Sequence, residues 1–381
     1  MVAVTDMVDF EKKNEIGLLV INNPPVNALS YNVRKGLAEG MEMAENDEGV
    51  KAIIIICQGR TFVAGADIRE FGKPPKGPPI NFTGSIENCS KPVIAAIHGT
   101  ALGGGLELAM TCHFRVAIPS AQFGLPEVKI GILPGGGGTQ RLPRIVGIEK
   151  ALQMITSGDF IGTDEALADE LIDEIIDGDL EAGAIAFAKK VLADKRPLKK
   201  IRDRNEKLEA AKQNPSIFDD FRKKNARKFR GFEAPEACIK SVEATVQLPF
   251  DEGIQREREL FAPLVTGAQA FALRHYFFSE RQVRKIPDIP KDTPLLDIKT
   301  AAVLGAGTMG GGIAMNFVNV GIPVTLTETT QELLDRGLSV IKRNYDVTVS
   351  KGKMSPAFVE ERMALITGSI KLEDVADADI V

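Results

Sequence analysis

The stretch IHGTALGGGLELAM, residues 97–110, decides the fold, because it joins a strand to a helix through three consecutive glycines. The helix begins almost at once after Gly103, Gly104 and Gly105, with Leu106 and Glu107. The first N–H groups of a helix have no partner within it, and partial positive charge accumulates there. Glycine also lets a ligand approach the backbone closely. This turn therefore predicts a place where an anion or an oxyanion is stabilised.

A second strand-to-helix turn lies upstream, in GRTFVAGADIREF, residues 59–71. Its small residues Ala64, Gly65 and Ala66 precede Asp67, so this turn offers another free N–H group. Two such donors that converge from separate turns could hold an oxygen as it gains negative charge. The pair of turns predicts an oxyanion hole.

Two acids follow in apolar surroundings. Glu107 lies in the helix GLELAM, and Glu127 comes just after Pro126 in FGLPEVKIG. Burial is costly for an acid and raises its pKa towards neutrality, which suits acid and base catalysis. The alternative is structural: Glu107 would cap its helix, and Glu127 would pair with Lys129 at the surface.

Other chemistries have weaker support. No serine or cysteine has a plausible histidine partner, and His98, His113 and His275 lack metal-ligand spacing, so we expect no metal. Glycosidases also use pairs of carboxylates. A chain with no Trp and three Tyr lacks the aromatic platforms expected for sugar rings.

The strand and helix patterns along the chain predict an α/β fold. Apolar strands GLLVINN, KAIIIICQ, PVIAAIHG and FRVAIPS alternate with helical stretches such as VRKGLAEGMEMAEN, as in βα units. From about Leu192 the pattern is charged and helical, and the proline-rich KIPDIPKDTP then favours an extended linker. A fresh βαβ unit begins in TAAVLGAGTMGGGIAMNF. We therefore expect domains at 1–195, 196–285 and 286–381.

Composition narrows the function classes. The 381 residues are 44% hydrophobic and 26% charged with a net charge of −5, which gives no electrostatic case for nucleic acid. No stretch has the roughly 18 apolar residues of a membrane span, and no signal sequence is apparent. We therefore expect a cytoplasmic protein that acts on small molecules. The isolated cysteines predict reduced thiols: Cys57, Cys89, Cys112 and Cys238.

The second βαβ unit carries a dinucleotide-binding turn. The run from Gly305 through Gly307 and Met309 to Gly310 follows a strand and opens a helix. Gly305 allows the tight turn, Gly307 admits a pyrophosphate, and Gly310 lets the helix pack on the strand. Glu328, at the end of the next strand, should bind ribose hydroxyls, which favours NAD over NADP. The alternative is a glycine-rich turn of some other α/β unit.

Three separated segments, TFVAGADI, IHGTALGGGLELAM and GLPEVKIGILPGGGGTQRL, resemble the enoyl-CoA hydratase/isomerase (crotonase) family over residues 10–190. The resemblance implies a spiral of ββα units with oxyanion donors at Ala66 and Gly104. Glu107 would deprotonate water and Glu127 would deliver a proton, so that a 2-enoyl-CoA becomes a 3-hydroxyacyl-CoA without a cofactor. Isomerisation of a 3-enoyl-CoA would need only Glu127. A thioester hydrolase and a non-catalytic acyl-CoA-binding module remain alternatives.

The same resemblance implies which residues border coenzyme A. They lie in NNPPVNALS and in the second turn: Val26, Ala28, Ala64, Gly65, Asp67 and Ile68. The alternative for NNPPVNALS is an ordinary turn before a helix. A homo-oligomer or a β-oxidation complex are the protein assemblies that this interpretation leaves open.

The stretch LGAGTMGGGIAMNFVNVGIPVTLTE resembles the NAD-binding part of 3-hydroxyacyl-CoA dehydrogenase in multifunctional β-oxidation enzymes. That family uses a His–Glu pair beyond this part, and no histidine follows His275, so we expect no dehydrogenase activity here. The resemblance also implies that the helix around AFALRHYFFSERQ packs onto the hydratase module. The last residues, DVADADIV, predict a turn and a buried strand with nothing after it, as in a truncated, partial Rossmann-type domain.

Overall fold

A computed structural model of the chain describes residues 2–74, 76–283, 285–290 and 292–381. The chain forms two compact units, Met1–Lys285 and Ile286–Val381. Lys291, in the predicted linker, and Arg284, at the end of the predicted helical connector, lie outside the described residues. The described residues of that linker form no helix or strand. The boundary between residues 195 and 196 stays a prediction, because both segments belong to the first unit.

The strands of the first unit form one large and one small sheet. In chain order they are β1 (Val2–Thr5), β2 (Val8–Lys13), β3 (Ile16–Ile21), β4 (Ala52–Cys57), β5 (Val93–Ile97), β6 (Thr100–Leu102), β7 (Phe114–Ala117), β8 (Gln122–Gly124), β9 (Ile161–Gly162) and β10 (Glu174–Ile175). The large sheet has the order β1-β2-β3-β4-β5-β7-β10, antiparallel up to β3 and parallel beyond it. The small sheet has the order β6-β8-β9.

Helices cover both faces of the large sheet. In chain order they are α1 (Tyr31–Asn46), α2 (Phe82–Glu87), α3 (Gly104–Thr111), α4 (Gly138–Val146), α5 (Ile148–Ser157), α6 (Thr163–Ala168), α7 (Leu180–Ala193), α8 (Glu209–Gln213), α9 (Ser216–Phe229), α10 (Ala234–Gln247), α11 (Phe250–Val265) and α12 (Ala268–Gln282), with 3₁₀ helices at Pro126–Ile130, Ile201–Asp203 and Glu206–Leu208. No helix among the described residues is long and apolar enough to cross a membrane.

The uninterrupted apolar run of β4, AIIIIC, reflects burial of the sheet on both sides. Ile53 and Ile55 face the core that contains α1 and α3, whereas Ile54 and Ile56 face the side that α7 covers with Phe187. Strands of a parallel sheet with helices on both faces read as continuous hydrophobic runs. The predicted α/β class is confirmed.

The chain repeats a strand, a second strand and a helix. After β5 it forms β6 in the small sheet and then α3, and after β7 it forms β8 and then the 3₁₀ helix Pro126–Ile130. This order is the ββα spiral that the sequence predicted. It places α3 and the 3₁₀ helix at equivalent points of successive turns, where Glu107 and Glu127 lie.

The segment beyond α7 is less helical than its composition suggested. Residues 195–208 form loops and two 3₁₀ helices rather than a continuous helix, and Pro197 removes an N–H that a helix would need. Further along, α10 packs on α4 and α5, and α12 packs on the 3₁₀ helix Pro126–Ile130. A Cβ placed on Gly131 would lie 2.9 Å from the Cα of Ala270, so α12 lies directly against this helix.

The second unit is a parallel three-stranded sheet with helices. Its elements are β11 (Ala301–Leu304), α13 (Thr308–Asn319), β12 (Val324–Thr327), α14 (Gln331–Ser350), α15 (Pro356–Met363), β13 (Ile366–Ser369) and a 3₁₀ helix at Leu372–Val375. The sheet order is β13-β12-β11, and Ala301 also bridges Ile380 in parallel. The order thus begins as 3-2-1-4, which is that of a Rossmann domain. Ile380 pairs as predicted, but it is 42% exposed rather than buried.

Leu19 provides a test of this packing. It is fully buried on β3, and a Cβ on Gly40 of α1 would lie 2.5 Å from its Cδ2 atom. We expect Leu19→Ala to lower the free energy of unfolding by about 2–5 kcal/mol, because the cavity that it leaves cannot close fully. Urea unfolding followed by far-UV circular dichroism measures this. Leu167→Ala, at a 39% exposed position, is the control, and an equal loss in both variants would contradict the proposed core.

Candidate active site

A cavity of about 570 Å³ in the first unit brings together the residues that the sequence singled out. Ala66, Gly104, Glu107 and Glu127 all line it. They come from three separate segments of the chain, because Gly104 and Glu107 share α3, and only the tertiary fold places them together. The remaining lining includes apolar and charged side chains of α2, α4 and α11.

Backbone hydrogen bonds hold the two glycine-containing turns against each other. The N–H of Leu102 donates to the carbonyl of Val63 at 3.0 Å, and the N–H of Leu29 donates to the carbonyl of Gly65 at 2.9 Å. A Cβ placed on Gly104 would lie only 3.1 Å from the backbone nitrogen of Ala66. Neither the Ala66 N–H nor the Gly104 N–H donates to any of the described residues. Both groups are therefore available to one oxygen atom.

Glu107 is buried and is held by a glycine-rich loop. Its Oε1 accepts hydrogen bonds from the N–H groups of Gly136 at 2.7 Å and Gly138 at 2.8 Å. Burial raises the pKa of Glu107 above its ordinary value, and these two N–H donors and the charge of Arg141 offset part of that rise. The carboxyl group therefore bonds the loop rather than capping its own helix. The two N–H donors stabilise its ionised form.

Glu127 is in a different electrostatic state. Its Oε2 is buried and has no hydrogen-bond partner among the described residues. Burial, followed by the charges of Glu107 and Glu257, raises the pKa of Glu127 well above its ordinary value. Lys129 pairs with Asp159 at 3.7 Å instead of with Glu127. The arrangement favours a protonated Glu127 beside an ionised Glu107, and such a separation of pKa values suits an acid and a base.

A third carboxyl, Glu257 on α11, was not predicted. It is fully buried and lines the same cavity. Burial and the charge of Glu107 raise the pKa of Glu257 to about 8. The sequence does carry a signal for it: Gly253, Glu257 and Leu264 share the buried face of α11 at helical spacing, so an acid occupies a core position.

A buried ion pair forms another part of the wall. Arg141 of α4 donates to Glu87 of α2 at 3.0 Å, and both side chains are almost fully buried. Phe71 and Phe261 contact each other edge to face with ring centroids 6.3 Å apart. The cavity wall thus also contains a pair of aromatic rings and a buried ion pair.

The six residues predicted to border coenzyme A do not line the cavity, but they adjoin residues that do. They lie in two segments, around residues 26–28 and 64–68, that flank Leu29 and Ala66. The N–H of Ala64 donates to the carbonyl of Val26 at 3.1 Å. The Asn27 side chain also ties the first segment to the residues just before the second, because it donates to the carbonyls of Gln58 and Thr61, both at 2.8 Å. The predicted coenzyme A contacts therefore stay a prediction, now confined to one connected surface.

In the second unit the glycine turn has free space at Gly307 and tight backbone packing at Gly310. Gly305 has φ +98°, and its N–H donates to the carbonyl of Thr327 at 2.7 Å. A Cβ on Gly310 would collide with the Gly305 carbonyl, whereas one on Gly307 would meet nothing within 4 Å. Met309 is exposed. Glu328 accepts a hydrogen bond from the Ala306 N–H at 2.8 Å, so the acid and the turn lie side by side.

Residues 11–239 match the model of the family described as enoyl-CoA hydratase/isomerase. The chain belongs to this family. Residues 300–381 match the model described as 3-hydroxyacyl-CoA dehydrogenase, NAD binding domain. A hydratase/isomerase module followed by a dehydrogenase NAD-binding domain is the organisation that the sequence predicted, and it is confirmed.

Two curated relatives match almost the whole chain. The peroxisomal bifunctional enzyme of Danio rerio is 39% identical over 374 residues, which are 97% of this chain and 51% of that protein. The peroxisomal fatty acid beta-oxidation multifunctional protein MFP2 of Arabidopsis thaliana is 35% identical over 379 residues, 96% of this chain and 52% of that protein. This hydratase/isomerase family member thus spans about half the length of these relatives.

A solved structure supports the fold of the first unit. The enoyl-CoA hydratase/isomerase of Pseudoalteromonas atlantica T6c has a TM-score of 0.54 and 23% sequence identity, and it covers 75% of this chain and 100% of its own. At this identity the likeness concerns the fold alone. The ββα spiral of the family is therefore the architecture of the first unit.

The buried state of Glu127 can be tested through stability. In the unfolded chain Glu127 loses its proton near its ordinary pKa of 4.5, but in the folded protein it keeps the proton to higher pH. The free energy of unfolding should therefore fall as pH rises from 4.5 through the folded pKa, by about 1.4 kcal/mol for each pH unit between these two pKa values. Glu127→Gln removes this dependence, so we expect the variant to gain stability over the wild type more at pH 8 than at pH 5.

Urea unfolding at the two pH values measures the effect. Glu149→Gln changes an exposed glutamate of α5 and should leave the pH dependence as it is in the wild type. Equal behaviour of the Glu127→Gln and Glu149→Gln variants would show that Glu127 is not held protonated by burial.

Proposed function

We propose that the first unit is an enoyl-CoA hydratase of fatty-acid β-oxidation. It would add water across the 2,3 double bond of an enoyl-CoA thioester and form a 3-hydroxyacyl-CoA. The observation that supports this most directly is one cavity lined by two free backbone N–H groups and two acids, of which Glu107 accepts two N–H hydrogen bonds and Glu127 has a buried oxygen with no partner among the described residues. The names of the relatives, which carry the terms bifunctional enzyme and fatty acid beta-oxidation, agree with this choice.

The N–H groups of Ala66 and Gly104 would bind the thioester oxygen. Attack of water on C3 moves electrons onto that oxygen, and two preorganised donors in a buried site stabilise the enolate more than they stabilise the substrate. Removal of one such donor typically costs about 10²–10³ in turnover. The oxyanion hole would therefore supply a large part of the rate enhancement.

The two acids would divide the proton transfers. Glu107, ionised and fixed through Oε1 by the loop, would accept a proton from the attacking water through its second oxygen. Glu127, protonated in its buried setting, would give its proton to C2. One proton is taken and one is given, so the sum is the addition of water, and proton exchange with solvent restores both acids.

The same cavity would also support isomerisation of a 3-enoyl-CoA to a 2-enoyl-CoA. That reaction removes a proton from C2 and returns one to C4, and no water is added. In its ionised form Glu127 alone could take the proton from C2 and return it to C4, with the same enolate held by Ala66 and Gly104. A requirement for Glu107 therefore distinguishes hydration, which needs both acids, from isomerisation, which needs only Glu127.

Substitution of each acid separates these functions. We expect Glu107→Gln and Glu127→Gln each to lower the kcat for hydration of crotonyl-CoA by about 10²–10⁴, because each removes one proton transfer. The loss of the absorbance of the unsaturated thioester measures this. Isomerisation of a 3-enoyl-CoA should survive Glu107→Gln better than Glu127→Gln. Glu149→Gln is the control, and unchanged circular dichroism excludes unfolding.

Full hydration by both variants would contradict the proposal and favour a non-catalytic acyl-CoA-binding module. Release of free coenzyme A without a hydrated product would favour a thioester hydrolase instead.

For the second unit we propose NAD as the ligand. The residues fit it, since Gly307 opens onto free space at the start of α13 and Glu328 lies beside the turn. A nicotinamide dinucleotide would supply hydride acceptance when bound. The turn would hold the pyrophosphate and Glu328 the ribose hydroxyls. A dehydrogenase reaction stays outside what we expect of these 381 residues, which contain no histidine after His275.

NAD binding has its own test. We expect Glu328→Gln to weaken NAD binding about tenfold or more and to reduce the preference for NAD over NADP, because a charged hydrogen bond to ribose is lost. Isothermal titration calorimetry with both dinucleotides measures this. Glu332→Gln, at an exposed site of the first turn of α14, is the matched control. Equal affinities in the two variants would exclude Glu328 from the site.

We propose an acyl-CoA thioester as the small-molecule partner, while the homo-oligomer and the β-oxidation complex stay predictions. Location within the cell also stays a prediction. The four cysteines are free and buried, which agrees with the reduced thiols predicted from the sequence. The two relatives are named peroxisomal, which the expectation of a cytoplasmic protein did not anticipate.

A further inference from the structure

The carboxyl of Glu257 on α11 accepts hydrogen bonds from the same loop that binds Glu107. The loop of residues 136–139, whose last two residues begin α4, presents four consecutive backbone N–H groups. These groups donate alternately to two acids. Gly136 and Gly138 donate to Oε1 of Glu107. Gly137 donates to Oε1 of Glu257 at 2.7 Å, and Thr139 donates to Oε2 of Glu257 at 3.1 Å. The loop is thus fixed from both sides.

The hydroxyl of Thr139 strengthens the grip on the Glu257 side. It forms a short hydrogen bond with Oε2 of Glu257 and another with the hydroxyl of Ser241 on α10 at 2.6 Å. The Gln140 side chain donates to the carbonyl of Ser241 at 2.7 Å. All of these groups are buried, where hydrogen bonds are strong and unpaired polar groups are costly. The loop is therefore tied to both α10 and α11.

From these contacts we propose that Glu257 is a positioning residue, which fixes the loop Gly136–Thr139 and through it aims the carboxylate of Glu107 at the water. The inference rests on the proposed hydratase function. Glu257 itself need not touch the substrate. It means that α11, which begins more than 100 residues after the loop, is part of the catalytic apparatus of the first unit.

The charge of Glu257 also acts on the other acid. The charged or titratable groups around it are Glu107 on α3, Glu127 in the 3₁₀ helix, Arg141 on α4 and Cys238 on α10. Above its own pKa of about 8, the negative charge of Glu257 raises the pKa of Glu127. A neutral side chain at position 257 should therefore let Glu127 lose its proton at lower pH.

The first experiment compares the Glu257→Gln variant with Glu252→Gln, which changes an exposed glutamate on the same helix. For Glu257→Gln we expect kcat for crotonyl-CoA hydration to fall about 100-fold, as for a small misplacement of a catalytic group, with little change in KM. The alkaline limb of the kcat–pH profile should move to lower pH, because Glu127 must be protonated to act. A purely structural role would not move that limb.

The second experiment measures hydrogen exchange of the loop amides by mass spectrometry on the full chain. Glu257→Gln should accelerate exchange at Gly136 and Gly138, the two amides bonded to Glu107, whereas Glu252→Gln should not. If Glu257→Gln does not fold, Thr139→Val tests the proposal instead, since it removes only the hydroxyl that bonds Glu257. Thr139→Ser keeps this hydroxyl, so we expect it to have the kcat and the slow amide exchange of the wild type.

The outcomes are distinct. Unchanged kcat together with unchanged loop exchange overturns the proposal, and so does a fall in kcat without faster loop exchange, because the effect would then not act through the loop. A wild-type chain that does not hydrate crotonyl-CoA overturns the proposed function instead. In that case the exchange experiment alone decides whether Glu257 positions the loop.

Discussion

The first unit depends on holding the carboxyl group of Glu107 in a buried position beside a cavity. A buried charge is stable only when hydrogen bonds replace the water that it has lost. Glu107 obtains two backbone N–H donors from a loop that begins almost thirty residues further along the chain. Glu127 obtains none at its buried Oε2, and burial raises its pKa well above the ordinary value, so the same constraint favours its protonated form. The cost of burying a carboxylate is thus offset by hydrogen bonds at the proposed base, whereas it favours the protonated form of the proposed acid.

This constraint also explains why the chain uses glycine where it does. A Cβ on Gly136 or Gly138 would lie 2.6 or 2.7 Å from a carboxylate oxygen of Glu107, although neither residue has a left-handed φ. A Cβ on Gly103 would lie 2.5 Å from Oε1 of Glu127, and here φ is also positive, at +52°. Two of these glycines are required by the closeness of the acids alone. The third is required by the backbone as well.

Sequence patterns predicted those features that local structure determines. The strands, the two turns and both acids of the cavity could be found, because strand periodicity and glycine turns are encoded over a few residues. Glu257 was missed, since its meaning depends on a contact with Gly137 that spans 120 positions. The ion pair of Glu87 and Arg141 was not predicted for the same reason, because the two residues are 54 positions apart. Composition also misled at residues 195–208, where charge suggested a helix and Pro197 interrupts it.

Both units use a glycine turn at a strand-to-helix junction, yet they suit different ligands. In the first unit the free N–H groups of Ala66 and Gly104 line a cavity shared with buried acids. A low-dielectric setting of this kind strengthens interactions with charge that develops during a reaction. In the second unit Gly307 opens onto free space and Met309 is exposed. An open turn suits a ligand that arrives already charged, such as a pyrophosphate, because its charge need not be created in a buried site. Burial, rather than the turn itself, therefore separates the proposed oxyanion site from the proposed dinucleotide site.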